Sequence, residues 1–190
     1  MDVAVLANDF VRLEPMREEH RVPLRVAADD ARIWKVTLVD GRGEGFDSWF
    51  NDALAPVVRV PFAVRRLSDG VLVGSTSFLD PVPKHKRVEI GNTWYHPDTW
   101  GTVVNPACKL LLMTHAFEVW GMNRVQYCTD LLNDRSRAAI AKLGATQEGV
   151  LRSHMVTHTG RIRDTVLFAI ARPEWLGVKK QLLARLKGAA

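Results

Sequence analysis

Trp100-Gly101-Thr102-Val103-Val104 forms a turn between a strand-like stretch and a helix that Asn105 can cap, with Pro106 at a tolerated first position. At such a joint the first backbone N–H groups lack intrahelical partners and the helix dipole is positive, so the joint can hold an anion. Asn133 reads as a second N-cap, for a helix that runs through Leu143, closes at Gly144 and carries Ser136, Ile140 and Leu143 on one face. No spacing among the histidines and cysteines resembles a metal site. Cys108 and Cys128 both sit in apolar segments, which favours reduced, core-packed thiols over a disulfide.

Twenty-six basic and twenty-one acidic residues give a net charge of +5. A modest positive field attracts polyanions, either nucleic acid or a phosphate-rich cofactor, or it belongs to a well-solvated surface, because the charges are spread along the chain. Apolar residues make up 47% and charged residues 25% of the 190, the balance of a globular domain and not of a disordered or rod-like chain. The longest run free of Asp, Glu, Lys and Arg is ten residues, for example Gly70–Leu79, too short to span a membrane. Asp2 stands where a secretory leader would carry positive charge. The expectation is a cytoplasmic protein with no membrane partner.

Residues 1–190 read as one domain with a helical tail at about 174–188. A first strand over Phe10–Pro15 leads to a helix over Arg17–Asp30 and a short one over Asp47–Leu54, and Gly41, Gly43 and Gly45 between them suggest a mobile loop. Pro61–Leu67 and Val71–Leu79 flank Ser68-Asp69-Gly70, a hairpin signal. Arg87–Tyr95 is a strand interrupted by Gly91. Leu110, Met113, Phe117 and Trp120 recur at helical spacing until Gly121. Strands over Arg124–Asp130, Thr146–His158 and Arg161–Ala171 complete the order β-α-α-β-β-β-α-β-α-β-β. This is an α/β (α+β) pattern of about six to seven strands, with at least one parallel pair.

From Arg87 to Trp175 the chain resembles the GNAT-type acyl-CoA N-acyltransferases, in the branch related to ribosomal-protein-alanine acetyltransferases. The resemblance is carried by Glu89-Ile90-Gly91, His115-Ala116-Phe117-Glu118, Asn133-x-x-Ser136, Lys142-Leu143-Gly144-Ala145 and Glu148-Gly149-Val150-Leu151-Arg152, then by Gly160-Arg161-x-x-Asp164-Thr165-Val166 and Glu174-Trp175. It implies a mixed, mostly antiparallel sheet and transfer of the acetyl group of acetyl-CoA to a primary amine, either a protein N-terminus or a small amine, with no metal and no covalent enzyme intermediate. The family's pyrophosphate loop usually reads Arg/Gln-x-x-Gly-x-Gly/Ala. Here the matching residues are Trp100, Gly101, Thr102, Val103, Val104 and Asn105, so only the turn glycine is shared outright.

By the same resemblance, Thr93, Trp94 and Tyr95 line the pantetheine arm together with Asn92, Glu89 accepts the amine proton, and Asn133 contacts pantetheine. Many relatives carry a tyrosine that protonates the leaving thiolate. Ile140 stands at that position, and Ser136 is the substitute hydroxyl. Arg152, His154 and Asp164 fall on the last two strands, where relatives line the acceptor pocket. Two other readings remain: a non-catalytic module with an altered cofactor loop, and, more weakly, a nucleic-acid binder. The tail Lys179–Leu186 is amphipathic and either packs on the domain or reaches a second copy in a homodimer.

Overall fold

The computed structural model describes residues 4–55 and 59–188; Asp2, on which the leader argument turns, lies outside them. One mixed sheet of eight strands runs in the order β1-β2-β3-β4-β5-β6-β8-β7. The strands are β1 (Leu6–Ala7), β2 (Val11–Pro15), β3 (Arg59–Arg66), β4 (Leu72–Val82), β5 (Arg87–Tyr95), β6 (Arg124–Asp130), β7 (Thr146–Val156) and β8 (Ile162–Ala171). The expected count of six to seven is short by β1, a two-residue strand paired Leu6 to Leu13 that is too brief to leave a periodic pattern.

The helices are α1 (Arg21–Ala28), α2 (Ala31–Trp34), α3 (Gly43–Leu54), α4 (Val104–Thr114), α5 (Asp134–Ala141) and α6 (Trp175–Lys187). Alternation along the strands feeds two cores. On one face Phe62, Val64, Phe78, Ile90 and Val125 pack under α4 and α6, which contribute Leu112, Met113, Val178 and Leu182. The tail therefore packs on the domain. On the other face Ala63, Leu72 and Trp94 pack under α1–α3 against Trp34, Phe46, Trp49 and Phe50. Fully burying a large apolar side chain contributes roughly 1.5–3 kcal/mol, so both helical layers are held mainly by these residues.

Four local expectations change. The helix expected over Arg17–Asp30 divides into a short 3-10 turn over Glu18–His20 and α1, and Asp30 caps the unforeseen α2 by accepting from Arg32 N at 2.9 Å. Gly43 and Gly45 do not form a loop but open α3: a Cβ at Gly45 would lie 2.1 Å from the Asp40 carbonyl oxygen, so glycine lets the turn close on the helix. The long helix ends as α-helix at Thr114 and continues as a π-turn over His115–Val119, which Gly121 terminates at φ +64°. Asn105 is not the cap of α4 but its second residue. Pro106, the third, lacks only an N–H that would have no intrahelical partner there, so the helix can start earlier.

β5 and β6 form the parallel pair expected from a crossover helix, with α4 as the connection. Their register covers only Arg87–Glu89 against Arg124–Gln126. Beyond Glu89 the pairing stops, Asn92 adopts φ +46°, and the β4–β5 register shifts between Ser75 and Ser77. The strands part there, and the sheet opens into a cleft.

Candidate active site

The cleft has a volume of about 480 Å³ and lies between the open edge of β5, the Trp100–Gly101 turn, the start of α4, α5 and the far half of β6. β5 pairs with β4 on one side and, past Glu89, with no strand on the other among the described residues. The peptide groups along Ile90–Tyr95 that point away from β4 therefore form an open hydrogen-bonding edge, suited to an extended ligand laid down like an added strand.

The turn before α4 is tied down locally. Trp100 Nε1 donates to the Tyr95 carbonyl at 3.0 Å, and the Thr102 hydroxyl donates to the Thr99 carbonyl at 2.7 Å while accepting from Val104 N at 3.3 Å. Gly101 takes φ +80°, a conformation that disfavours any side chain. Of the six loop residues, Trp100, Gly101 and Asn105 line the cleft, whereas Val104 is buried in the core and Val103 packs against it. The Arg135 guanidinium sits 3.3 Å over the Trp100 ring, which places a cation from α5 beside the turn. Asn133 does cap α5, with its Oδ1 accepting from Ser136 N at 3.0 Å, and both residues line the cleft.

Glu89 occupies the last β5–β6 pair, at the point where the strands separate; it is not itself among the residues that line the cleft, and adjoins it through Gly91 and Cys128, which are. Gln126 Nε2 and the Cys128 thiol donate to the same atom, Glu89 Oε2, at 3.1 and 3.3 Å. Burial and the adjacent Glu89 carboxylate push the Cys128 thiol up to about 12, so it stays protonated and remains a donor. Cys128 is thus a half-buried cleft residue and not the core-packed thiol expected from its apolar segment; strand alternation turns it toward Glu89 while Tyr127 enters the core. Glu89 Oε1 lies against Gly91, where an added Cβ would come within 3.1 Å of it and 2.6 Å of Leu79 Cδ1.

Thr93, Trp94 and Tyr95 all line the cleft, in different ways. Trp94 packs tilted against Trp34 at 5.4 Å and edge-on against Trp49 at 5.3 Å between ring centroids, and serves mainly as the floor of the α1–α3 layer. Thr93 accepts from Lys109 Nζ at 2.8 Å. The three residues expected on the acceptor side are elsewhere: Arg152 and His154 are exposed on β7, and Asp164 Oδ1 accepts from Ser153 N at 2.7 Å, tying down a bulge where Ser153 takes φ +51°. His154 meets Thr165 at 3.1 Å. None of the three lines the cleft.

Besides Arg135, three cleft cations escaped the sequence reading. Lys109, on α4, is 5% exposed, and burial lowers its ammonium to about 8. Arg59 opens β3, donates Nε to Ser77 Oγ at 3.0 Å and is lowered to about 10 by burial. Arg163 on β8 is buried, which lowers it too, against the pull of Asp130. A lone lysine in the apolar run Val103–Met113 was the one visible signal. Arginines in alternating strands carry none until the register is known. Among the described residues no group of His, Cys, Asp and Glu is arranged to hold a metal, and no helix is long and apolar enough to cross a membrane.

Residues 11–146 match the family profile described as "Acetyltransferase (GNAT) domain". The chain is 32% identical over 114 residues to the "Putative ribosomal N-acetyltransferase YdaF" of Bacillus subtilis; the aligned stretch spans 60% of this chain and 61% of that protein, less than two thirds of its length. The crystal structure of a "putative acetyltransferase" from T. thermophilus superposes at TM-score 0.90 with 33% identity, covering 98% of each chain. Mycobacterium smegmatis RimJ in complex with CoA-disulfide shares the fold at TM-score 0.78 and 22% identity, with 92% of this chain and 88% of that one covered. The open edge of β5, the turn at Gly101 and the profile match converge: the chain belongs to the GNAT acetyltransferase family.

Proposed function

We propose that the chain transfers the acetyl group of acetyl-CoA to a primary amine, with a protein N-terminus favoured by the similarity to a relative named for ribosomal N-acetylation. A ribosomal acceptor would set the reaction in the cytoplasm. The observation that carries the reading is Glu89 at the fork of β5 and β6. Its Oε2 is held by Gln126 and Cys128, which leaves Oε1 available beside Gly91.

The donor supplies a thioester; the amine nitrogen forms the new C–N bond, and the C–S bond breaks. Before attack the acceptor ammonium must lose a proton, which Glu89 takes directly or through one water. An N–H on the open edge of β5 polarises the carbonyl and stabilises the tetrahedral oxyanion. The Ser136 hydroxyl gives a proton to the leaving thiolate and is reprotonated by the second proton that the nitrogen sheds as the amide forms. The residues present suit the donor. The N–H groups at the start of α4 are main-chain groups, which valine at 103 supplies as well as glycine does, and Arg135 adds positive charge beside them for the pyrophosphate. Asn133 contacts the pantetheine arm.

Titration calorimetry with acetyl-CoA and with CoA tests the reading first. Micromolar binding, about −8 kcal/mol, is expected. No heat at millimolar donor favours the alternative, a non-catalytic GNAT-fold module, for which Val103, Asn105 and Ile140 at family motif positions are the supporting observation. Ser136→Ala should slow kcat more than it weakens donor binding. An unchanged kcat removes Ser136 from the acid role.

A further inference from the structure

Four cationic side chains line the cleft, Lys109, Arg59, Arg163 and Arg135, against two carboxylates, Asp52 and Asp130. Asp130 is already engaged, paired with Arg161 and accepting from Leu132 N at 2.9 Å. Of these four, Arg135 sits with Trp100 at the helix joint, and Lys109 donates to Thr93 on β5 at 2.8 Å. The other two are guanidiniums with unmet donors: Arg59 Nη2 and Arg163 Nε are buried and have no hydrogen-bond partner among the described residues.

The register shows where they stand relative to the candidate base. Arg59 pairs with Leu79, and Leu79 with Glu89, so Arg59 and Glu89 share a row and a face of the sheet, two strands apart, roughly 10 Å. Arg163 is on the same face as Cys128 and Asp130, whose partners on β8 are Leu167 and Thr165. It is near enough to Glu89 for the carboxylate to act on its charge. In strand order Glu89 therefore lies between two incompletely satisfied forks: Arg59, half-buried over the Trp49 ring with Asp52 acting on its charge, and the buried Arg163.

A guanidinium stays charged and presents five donors; buried without partners it is unfavourable, and a planar two-oxygen anion satisfies it in the matching geometry. A cationic wall also repels an ordinary ammonium acceptor. An acceptor that brings its own negative charge offsets that repulsion. The same positive field then favours the neutral amine that the transfer needs.

We infer that the acceptor is anionic: a primary amine carrying a carboxylate beside it, held by Arg59 and Arg163 while Glu89 faces the amine. This rests on the transferase reading above and names its substrate class. The chemistry has two sources, an acidic residue at a peptide N-terminus and a free acidic amino acid.

The test is thiol release from acetyl-CoA with tripeptide amides that start with Asp, Asn or Lys and are otherwise identical, and with free glutamate against its diamide. The Asp peptide should exceed the Asn peptide in kcat/KM by about tenfold or more, with the Lys peptide poorest. In Arg59→Gln that ratio should fall to within about twofold, mainly through KM, and Arg59→Lys should restore part of it because it returns the charge without the fork. Arg163→Gln provides a second variant, and calorimetry with acetyl-CoA reports whether each is folded. A glutamate arm that outruns the peptides assigns the source to the free amino acid; the reverse assigns it to a peptide. Equal kcat/KM across the charge series overturns the inference and leaves the transferase reading standing. A preference that survives both arginine variants overturns the assignment to these residues. No turnover of any acceptor by a protein that binds acetyl-CoA overturns both.

Discussion

The wall of the cleft made by the β5 edge, the Trp100 turn and the start of α4 presents mainly main-chain groups, drawn from the contiguous stretch 90–105. The opposite wall presents charged side chains, drawn from β3, α3, β6 and β8. Peptide N–H groups bind without titrating and tolerate changes of side chain, so the first wall can keep its chemistry while Val103 and Asn105 replace glycines. The second wall depends on which side chains are buried and what they meet. Sequence variation should therefore reach specificity through the second wall sooner than donor binding through the first.

Substitutions that act on one wall alone test this division. Glu89→Gln should lower kcat by about 10²–10³-fold, the contribution of a positioned general base, with the Kd for acetyl-CoA unchanged. An equal loss in donor affinity would mean that the two walls are not separable. An unchanged pH–rate profile in the variant would remove Glu89 from the base role.

Lys109 lies where the two walls meet, so it tests how completely they are divided. Its ammonium falls from the ordinary 10.5 to about 8 because burial disfavours the charge. Between those values the unfolded chain holds the proton that the folded chain has released, so stability rises as pH increases through this window and is lower below it. The full swing is at most about 3 kcal/mol. In Lys109→Met the rise should be absent and Tm at pH 7 higher. A Tm–pH slope identical to that of the parent would show that Lys109 titrates normally.

The legible parts follow the same division. Strands Arg87–Tyr95 and Arg124–Asp130 and the Asn133 cap appear at the expected positions, since alternation and capping are local. So does the Ser68–Gly70 hairpin, with Gly70 at φ +74°. The start of α3 was hidden, because Gly43 and Gly45 read as loop formers until the Asp40 carbonyl is seen against Gly45. Asp164 and His154 sit on the expected strands but serve the β7 bulge, a register shift between Leu151 and Met155 that no residue type announces. Arg59 and Arg163 stand 104 positions apart and share a site only through the order of the strands. The motif wall is written in one segment; the charged wall is written in the topology.

Gly74 tests the shape of the first wall. A Cβ there would come within 2.2 Å of the Trp94 carbonyl oxygen and 2.8 Å of Tyr95 Cα, both backbone atoms of β5. Gly74→Ala should therefore move β5 instead of a flexible side chain, costing about 2 kcal/mol of stability and weakening acetyl-CoA binding along with it. A drop in Tm with the donor Kd unchanged would mean that the position of the β5 edge does not govern donor affinity.

The smallest effect is expected at Arg135, whose guanidinium lies over Trp100 at the main-chain wall. An exposed charge acting on a phosphate contributes roughly 0.2–1 kcal/mol, so Arg135→Ala should raise the acetyl-CoA Kd about fivefold at most. The loss should shrink with added salt, because an exposed charge acting on a phosphate is screened. Arg135→Lys should recover the salt-dependent part but not the part due to stacking on Trp100, since an ammonium lacks the planar face. A loss of a hundredfold, insensitive to salt, would mean that donor binding rests on this side chain and not on the peptide groups of the turn, and the contrast between the two walls would fail at that point.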